Sequence, residues 1–483
     1  MAGAAYGETD CSQTTRRRMG LFGPCMAMIQ AGRASLFGLV SWGLVFSWTM
    51  PGNGQNTSGQ APELSLIDAI QIALGNNRPI QIAKLDVTKS GWDVAEAKTH
   101  RLPEFKTELL ASGNINSPAF TFQEGIFGTT NGQPNGPPNP SKDMRIPLSR
   151  GLTGYALATA AQPISQLYQI HLGIREKQLS ADLAGEKYKQ KRQTTVADVK
   201  QAYYGILQSE SALELEKALV KQYEETDRVA TDYLSKESIL KSESLEVRAE
   251  LAQAKHQLVT IHDDLETQKE YFNDLLGRDL DTPFRTRPVP PASTDEMDLK
   301  QARQTALRQR PELQEAKINV DRAGIDRSLA KAEYIPGIGA QLEYFTPINT
   351  EILPQNILSA GMKMTWEPFD WGRRRDNVKQ KEIQVQQSQY QLDQTRAQVL
   401  LDVDKTFRKL NESRSMLEVA QAARDAADEK LREVNNQFKQ VAVLLRDVLK
   451  QEAAVANANH QYEESLLSFW SAKSAFEKAL GEE

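Results

Sequence analysis

The side chains best able to hold a metal or move a proton are few and scattered. The 483-residue chain has five histidines, His100, His171, His256, His262 and His460. A zinc hydrolase would need two of them four apart on one helical face with a glutamate after the first, and that spacing does not occur. His256 and His262 are six apart, which puts them on different faces of a helix, where they read as solvated or seam residues. A phosphate cradle needs a glycine-rich turn between a strand and a helix, and none follows a strand here. Cys11 and Cys25 both precede an apolar run at 35–50, so the rest of the chain has no thiol for a disulfide, a nucleophile or a thiolate metal site. No catalytic residue, cofactor or metal site is expected, and the chain reads as a non-enzyme. A hydrolase built on helical scaffolding finds no nucleophile constellation to support it.

Charge removes a further class. The 58 Lys and Arg against 63 Asp and Glu leave a formal net charge of -5 with the signs interspersed, so there is no basic footprint for nucleic acid. Hydrophobic residues make up 40% and charged residues 25%, a composition suited to water, yet the chain does not begin that way. Arg16, Arg17, Arg18 and Arg33 lead into "SLFGLVSWGLVFSWTM" at 35–50, too short to span a bilayer comfortably and followed by the polar "PGNGQNTSGQAPE". This resembles a secretory signal peptide, with an uncleaved anchor as the alternative; Met26 or Met28 would start a leader of ordinary length. Proline just before Cys25 does not suit lipid attachment. Beyond residue 50 no apolar run approaches eighteen residues, so any later membrane insertion must use β-strands closed into a barrel.

A duplication supplies the organisation. "LSLIDAIQIAL" at 64–74 returns as "MDLKQARQTAL" at 297–307, and at one constant offset Ala69 matches Ala302, Ala73 matches Ala306, Lys84 matches Lys317 and Pro103 matches Pro336. The expected layout is a signal region at 1–50, a polar leader at 51–63, a first repeat at 64–277, a linker at 278–296 and a second repeat at 297–481. Each copied segment reads as a short and a longer helix separated by Pro79 or Pro311, stopped by Pro103 or Pro336. Alternation with period two follows. Phe105, Thr107, Leu109 and Ala111 share one face, as do Ile338, Ala340, Leu342 and Tyr344. Return strands then run to Pro163 and Pro368, the latter with Met362, Met364 and Trp366 alternating. The four prolines thus gather at one end of a four-stranded set.

Long heptad ladders come next: Val199, Ile206, Leu213 and Val220, then Leu251, Leu258, Leu265 and Phe272. The second half repeats them with Val378, Val385, Leu392 and Val399, then Val448, Val455, Tyr462, Phe469 and Phe476. A helix from near Arg374 to near Gln437 would reach about 95 Å, beyond any ordinary globular domain. Each half is expected to be a long helical hairpin joined to a β-hairpin. Four strands cannot close on themselves, and lipid does not tolerate an open edge, so chains must pool strands. Two chains would make eight strands with a filled interior, whereas three make twelve with room for a lumen.

At this point the sequence resembles the TolC-like outer-membrane factors over nearly everything from Leu64 onward. The resemblance is carried by "LSLIDAIQIALGNNRP", by "WEPFDWGRRR" at the strand-to-helix passage and by "RDVLKQEAAVANANHQY". It implies a mainly α chain whose trimer forms a twelve-stranded membrane β-barrel over a tapering α-helical barrel. It further implies an outer-membrane exit duct of a tripartite efflux pump or type I secretion system in a Gram-negative-type bacterium, the helical barrel lying in the periplasm. Its partners would be a periplasmic adaptor (membrane fusion protein), an inner-membrane transporter and outer-membrane lipid. Small molecules, metals and polypeptides all use such ducts. The alternative is an exported coiled-coil adaptor or scaffold without a barrel.

The resemblance also assigns residues. Asp447 in "RDVLKQ" stands where the family's first aperture aspartate lies, and Lys450 where a second often stands; pairing of Asp447 with Arg446 or Lys450 on the helix surface is the plain alternative. Pro103, Pro163, Pro336 and Pro368 mark the barrel-helix junctions. Trp366 and Trp371 suit an aromatic belt at the membrane interface. Arg373, Arg374 and Arg375 lie either near lipid headgroups or at a solvated helix start. Two departures stand out: the tips "YLSKESILKSES" and "QFKQVAVLLRD" lack the usual glycine, and 117–147 with "TNGQPNGPPNP" is long for an external loop, reading as an irregular exposed segment.

Overall fold

The computed structural model describes residues 62–113, 115, 119–147, 152–292, 298–349, 354–440 and 445–482. The signal region, nearly all of the polar leader, residues 293–296 of the linker, residue 297 at the head of the second repeat and 441–444 of the second tip lie outside the described residues.

The first half runs β1 (Glu63–Leu64), α1 (Leu66–Asn76), α2 (Arg78–Thr99), β2 (Glu104–Gly113), β3 (Ala119–Phe122), β4 (Met144–Pro147), β5 (Leu152–Pro163), α3 (Leu167–Ser235), α4 (Lys241–Leu276) and β6 (Arg285–Thr286). The second runs α5 (Leu299–Gln309), α6 (Pro311–Ala332), β7 (Gly337–Ile348), β8 (Ile357–Thr365), α7 (Arg373–Lys439) and α8 (Leu445–Leu480). Helix thus dominates, with a single four-stranded antiparallel sheet ordered β2-β5-β7-β8. Of the described residues, no helix is long and apolar enough to cross a membrane.

Local chemistry sets the boundaries. Ser65 caps α1 by accepting from the Asp68 amide at 3.2 Å, and the Asn77 side chain caps α2 by accepting from the Ile80 amide at 3.2 Å. Pro79 and Pro311 fall in the first two positions of α2 and α6, where the missing N–H costs nothing. Gly277 ends α4 with φ 69°, and a Cβ there would come within 2.4 Å of the Asn76 carbonyl; Gly481 repeats the device after α8 with φ 91°. Both positions need left-handed backbone and a close approach that only glycine allows.

The two long helices have 69 and 67 residues, about 100 Å each. Each is too long for its 36-residue return helix to cover, so α3 packs against α4 along one part and against α2 along another, while α7 does the same with α8 and α6. Every heptad residue named above is buried or half-buried, with the most complete burial around Val199, Ile206, Phe272, Phe469 and Phe476. There the seams meet α1 and α5. Ala69 and Ala73 pack with Tyr203, Phe272 and Leu276, and Ala302 and Ala306 with Val403, Phe476 and Leu480. The alanines let the short helices approach closely, and each large side chain buried contributes roughly 1.5–3 kcal/mol.

The linker closes this collar. β6 pairs in parallel with β1, the buried Tyr203 hydroxyl accepts from the Arg287 amide at 2.8 Å, and it lies 2.7 Å from the Arg287 carbonyl to which it donates. Burial, ahead of the other influences, raises the Tyr203 pKa. Val289 and Trp470 touch the cores of both halves, and the Trp470 indole donates to the Pro290 carbonyl at 3.1 Å.

Candidate conduit surfaces

The sheet register unites faces that the sequence shows only one strand at a time. Phe105 pairs with Ala160, Ala160 with Leu342 and Leu342 with Ala360; Thr107, Ala158, Tyr344 and Leu358 form the next row. Ile338 opposite Met364 and Ala340 opposite Met362 complete the same side. Opposed residues in antiparallel strands share a face, so one side of the sheet is almost wholly apolar. The other carries Glu104, Lys106, Glu108, Gln341, Glu343 and Lys363. Its carboxylates are met locally: Lys106 lies 2.9 Å from Glu104, the Tyr155 hydroxyl donates to Glu108 at 2.8 Å and the Gln341 amide donates to Glu343 at 3.1 Å. Such a sheet can divide lipid from water.

It is also open. β2 and β8 each pair on one side only, and every residue of both strands is exposed. Two long edges with free N–H and C=O groups beside exposed Phe105, Leu109, Met362 and Met364 are incompatible with lipid as they stand.

The four junction prolines come together as the register requires. Pro163 is the last residue of β5, Pro103 and Pro336 precede β2 and β7, and Pro368 lies three residues past β8, which ends at Thr365 rather than at the proline. Between Thr365 and α7 lies a turn whose chemistry the sequence did not announce. The Asp370 carboxylate accepts from the Gly372 and Arg374 amides at 3.1 and 3.0 Å, capping α7. The Arg374 amide, followed by the Gly372 amide and the nearby guanidinium groups, holds the Asp370 carboxyl below its usual pKa. Arg374 also donates to the Glu367 carbonyl at 2.7 Å and, with Arg373, to the Glu367 carboxylate at 2.9 and 2.7 Å, while Arg375 lies 3.1 Å from Asp376. The arginines therefore belong first to this turn. The Asp-x-Gly spacing inside "WEPFDWGRRR" was the available signal for the cap. Outside it, Trp366 is exposed, Trp371 is 88% exposed, and Phe369 meets Trp371 edge-on with centroids 4.7 Å apart.

The long external connection differs from the sequence expectation. It carries an antiparallel hairpin, β3 with β4, closed by a bridge between Thr129 and Pro138 and by Phe127 N–H to the Asn139 carbonyl at 2.9 Å. Phe122 packs on Phe127 at 5.4 Å. Pro and Gly cluster in the turns, where they bend the chain without preventing the flanking "AFTF" and "MRIP" from pairing.

At the far end of the helices, Glu237 takes left-handed backbone, φ 52°, where glycine would be at ease. Asp447 sits in the first turn of α8, half-buried, with its carboxylate 3.7 Å from the Arg446 guanidinium, and Lys450 is exposed one turn on. These two are remote in the chain from the junction residues and share no contact with them. Among the described residues no cluster of His, Cys, Asp and Glu could hold a metal ion.

Residues 302–482 match the family model described as outer membrane efflux protein. The alkaline protease secretion protein AprF of Pseudomonas aeruginosa is 22% identical over 275 residues, a match that takes in 54% of this chain and only 56% of that relative. Among solved structures, the Campylobacter jejuni CmeC outer membrane channel superposes with a TM-score of 0.70 at 14% identity, covering 86% of this chain and 85% of that one. CusC, whose structures address folding and transmembrane channel formation, gives 0.67 at 16% identity over 88% and 93%. At these identities the structural matches speak for the fold.

Proposed function

We propose that the chain is a member of the outer membrane efflux protein family, the TolC-like outer-membrane factors, and that it is the outer-membrane exit duct of an efflux pump or type I secretion system. The observation that carries the reading is the open sheet with one apolar face, one polar face and two unpaired edges. Three copies pool their strands into a twelve-stranded barrel, apolar face to lipid and polar face to the lumen, and the long hairpins continue it as an α-helical barrel. Trp366, Phe369 and Trp371 then lie at the periplasmic interface, where amphipathic rings are favoured. Transport is passive, and energy comes from an inner-membrane transporter reached through a periplasmic adaptor. Its cargo is of small-molecule, metal or polypeptide class, and the matched secretion protein supports the polypeptide reading.

The polar face carries both signs of charge, so selectivity falls to the aperture. There Asp447, near the positive end of α8, becomes a ring of three carboxylates that attracts cations, and Lys450 offsets it. The purified protein in detergent should have the mass of three chains; a stable monomer with the same helical content overturns the duct and favours the scaffold reading. In planar bilayers Asp447→Asn should lower cation selectivity and Lys450→Asp should raise it. If neither moves the reversal potential of an open channel, Asp447 belongs with Arg446 on the helix surface.

A further inference from the structure

The sheet face that turns to the lumen in the proposed duct is not polar along its whole height. Near the helices its rows carry charge: one holds Glu104 and Gln341, the next Lys106 and Glu343. Towards the outer end the rows change character. Glu108 pairs with Leu157, Leu157 with Phe345 and Phe345 with Ile357, and the following row sets Leu110 beside Tyr155. Opposed residues share a face, so these five apolar or aromatic side chains stand on the same side as the charges below them. Leu110 and Ile357 are exposed and the other three half-buried, so the chain leaves the band open to solvent.

Strand residues that line an aqueous lumen are ordinarily polar, and this band faces neither lipid nor a core. Apolar surface rimmed by polar residues marks an interaction site. Its chemistry is particular. Tyr155 and Phe345 sit diagonally across β5 and β7 with ring centroids 5.7 Å apart and a tilt of 35°. The Tyr155 hydroxyl donates to the Glu108 carboxylate at 2.8 Å, which holds the ring in place and keeps a negative group beside it. Glu343 stands two residues before Phe345 on the same face, 3.1 Å from the Gln341 amide. Both partners are neutral and leave the carboxylate charges in place. Lys106 shares this side but lies 2.9 Å from Glu104, one row nearer the helices.

We infer that the band is a binding site for a hydrophobic organic cation at the outer mouth of the duct; the inference rests on the duct proposed above, which makes this face the lumen. Other occupants fit less of what is there. An anion meets Glu108 and Glu343. A compact metal ion must shed tightly held water, and among the described residues no cluster of His, Cys, Asp and Glu could hold one. A neutral apolar molecule gains from the rings and nothing from the two carboxylates. An organic cation uses both: its bulk covers Leu110, Leu157 and Ile357, and its charge lies over the electron-rich faces of Tyr155 and Phe345 with the carboxylates at the rim. The site differs from the aperture in place and in chemistry. Asp447 attracts any cation by charge, whereas the band separates cations of equal charge by their apolar bulk.

Single-channel recording on the purified protein in planar bilayers tests this. Tetraphenylphosphonium added at the outer face should reduce the unit current. Tetramethylammonium, of the same charge without aromatic bulk, and tetraphenylborate, of the same shape with the opposite charge, should not. Tyr155→Leu with Phe345→Leu keeps the band apolar and removes its rings, and should raise the concentration for half block about tenfold. Glu108→Gln with Glu343→Gln should raise it about threefold, as fits exposed charges, while Asp447→Asn should leave it unchanged. An open channel that the phosphonium does not block, equal block by phosphonium and borate, or block untouched by the ring and carboxylate variants overturns the site while leaving the duct standing. Block that appears only after 119–147 is deleted shows that the chain's own hairpin covers the band, which overturns it too. Absence of any conducting channel overturns the duct and the site with it.

Discussion

α2 and α6 hold matching places in the two halves, 22 residues each, and live differently. Their inner faces agree: Ile80 is 1% exposed and its counterpart Leu313 is 4% exposed, and the alanines of the preceding helices α1 and α5 are equally buried. Their flanks do not agree. α6 is sandwiched between α3 and α7, so Ile318 and Ile325 are half-buried; α2 has α3 as its one long-helix partner along most of its length, so Leu85 and Trp92 stand in the open. Duplication gives two copies of every sticky face, but an open chain of two units can cover only the inner ones. The difference measures what the assembly has to finish.

The largest expected effect tests the shared part of that comparison. Ile80→Ala and Leu313→Ala should each cost about 2–5 kcal/mol, because both empty a closed site, and denaturant midpoints in detergent should fall together. A large loss in only one would show that the halves are not equivalent even inside. The flanks should then separate. Ile318→Asp should destabilise the single chain by about 2 kcal/mol, whereas Leu85→Asp should change it by less than about 0.5 kcal/mol, and only sedimentation should reveal loss of the trimer in the latter.

The two external connections sharpen the contrast further. The connection from β7 to β8, 349–356, is short, while the one from β2 to β5, 114–151, is long and carries the extra hairpin. Deleting 129–140 should leave the trimer mass intact, since that turn region hydrogen-bonds mainly to itself. A shift to monomer would place the hairpin in the assembly instead.

The smallest effect concerns how the long helices start. α3 opens at Gln166 with no side-chain cap, and nearby Ser165 instead donates to the Pro336 carbonyl at 2.6 Å and accepts from the Ile338 amide at 2.7 Å, tying the junction to the sheet. α7 relies on Asp370. Because the folded protein holds that carboxyl below its ordinary pKa, its stabilisation is complete above the usual carboxylate range and fades as pH falls through the lowered value. Asp370→Ala should therefore lower stability slightly near neutral pH, with the difference closing in acid; a difference that grows in acid would refute the cap.

By itself, the sequence determined the kinds of element and their order. Period-two alternation, heptads and prolines state what each segment is, since they depend on neighbours within a few residues. The duplication could be read for the same reason, and with it the four strands and two hairpins. The "WEPFDWGRRR" motif was visible, but its arginines looked free for lipid until the fold bent Glu367 and Asp370 back upon them. The hairpin in the long connection was hidden because proline and glycine dominate its composition while only four residues on each side pair. Tertiary structure alone decided which faces share a side of the sheet, which flank stays bare and where the linker crosses the collar. Those depend on partners far apart in the chain, such as Phe105 with Ala160 and Ala160 with Leu342, and a one-residue change of register would have put the same apolar rows on opposite sides.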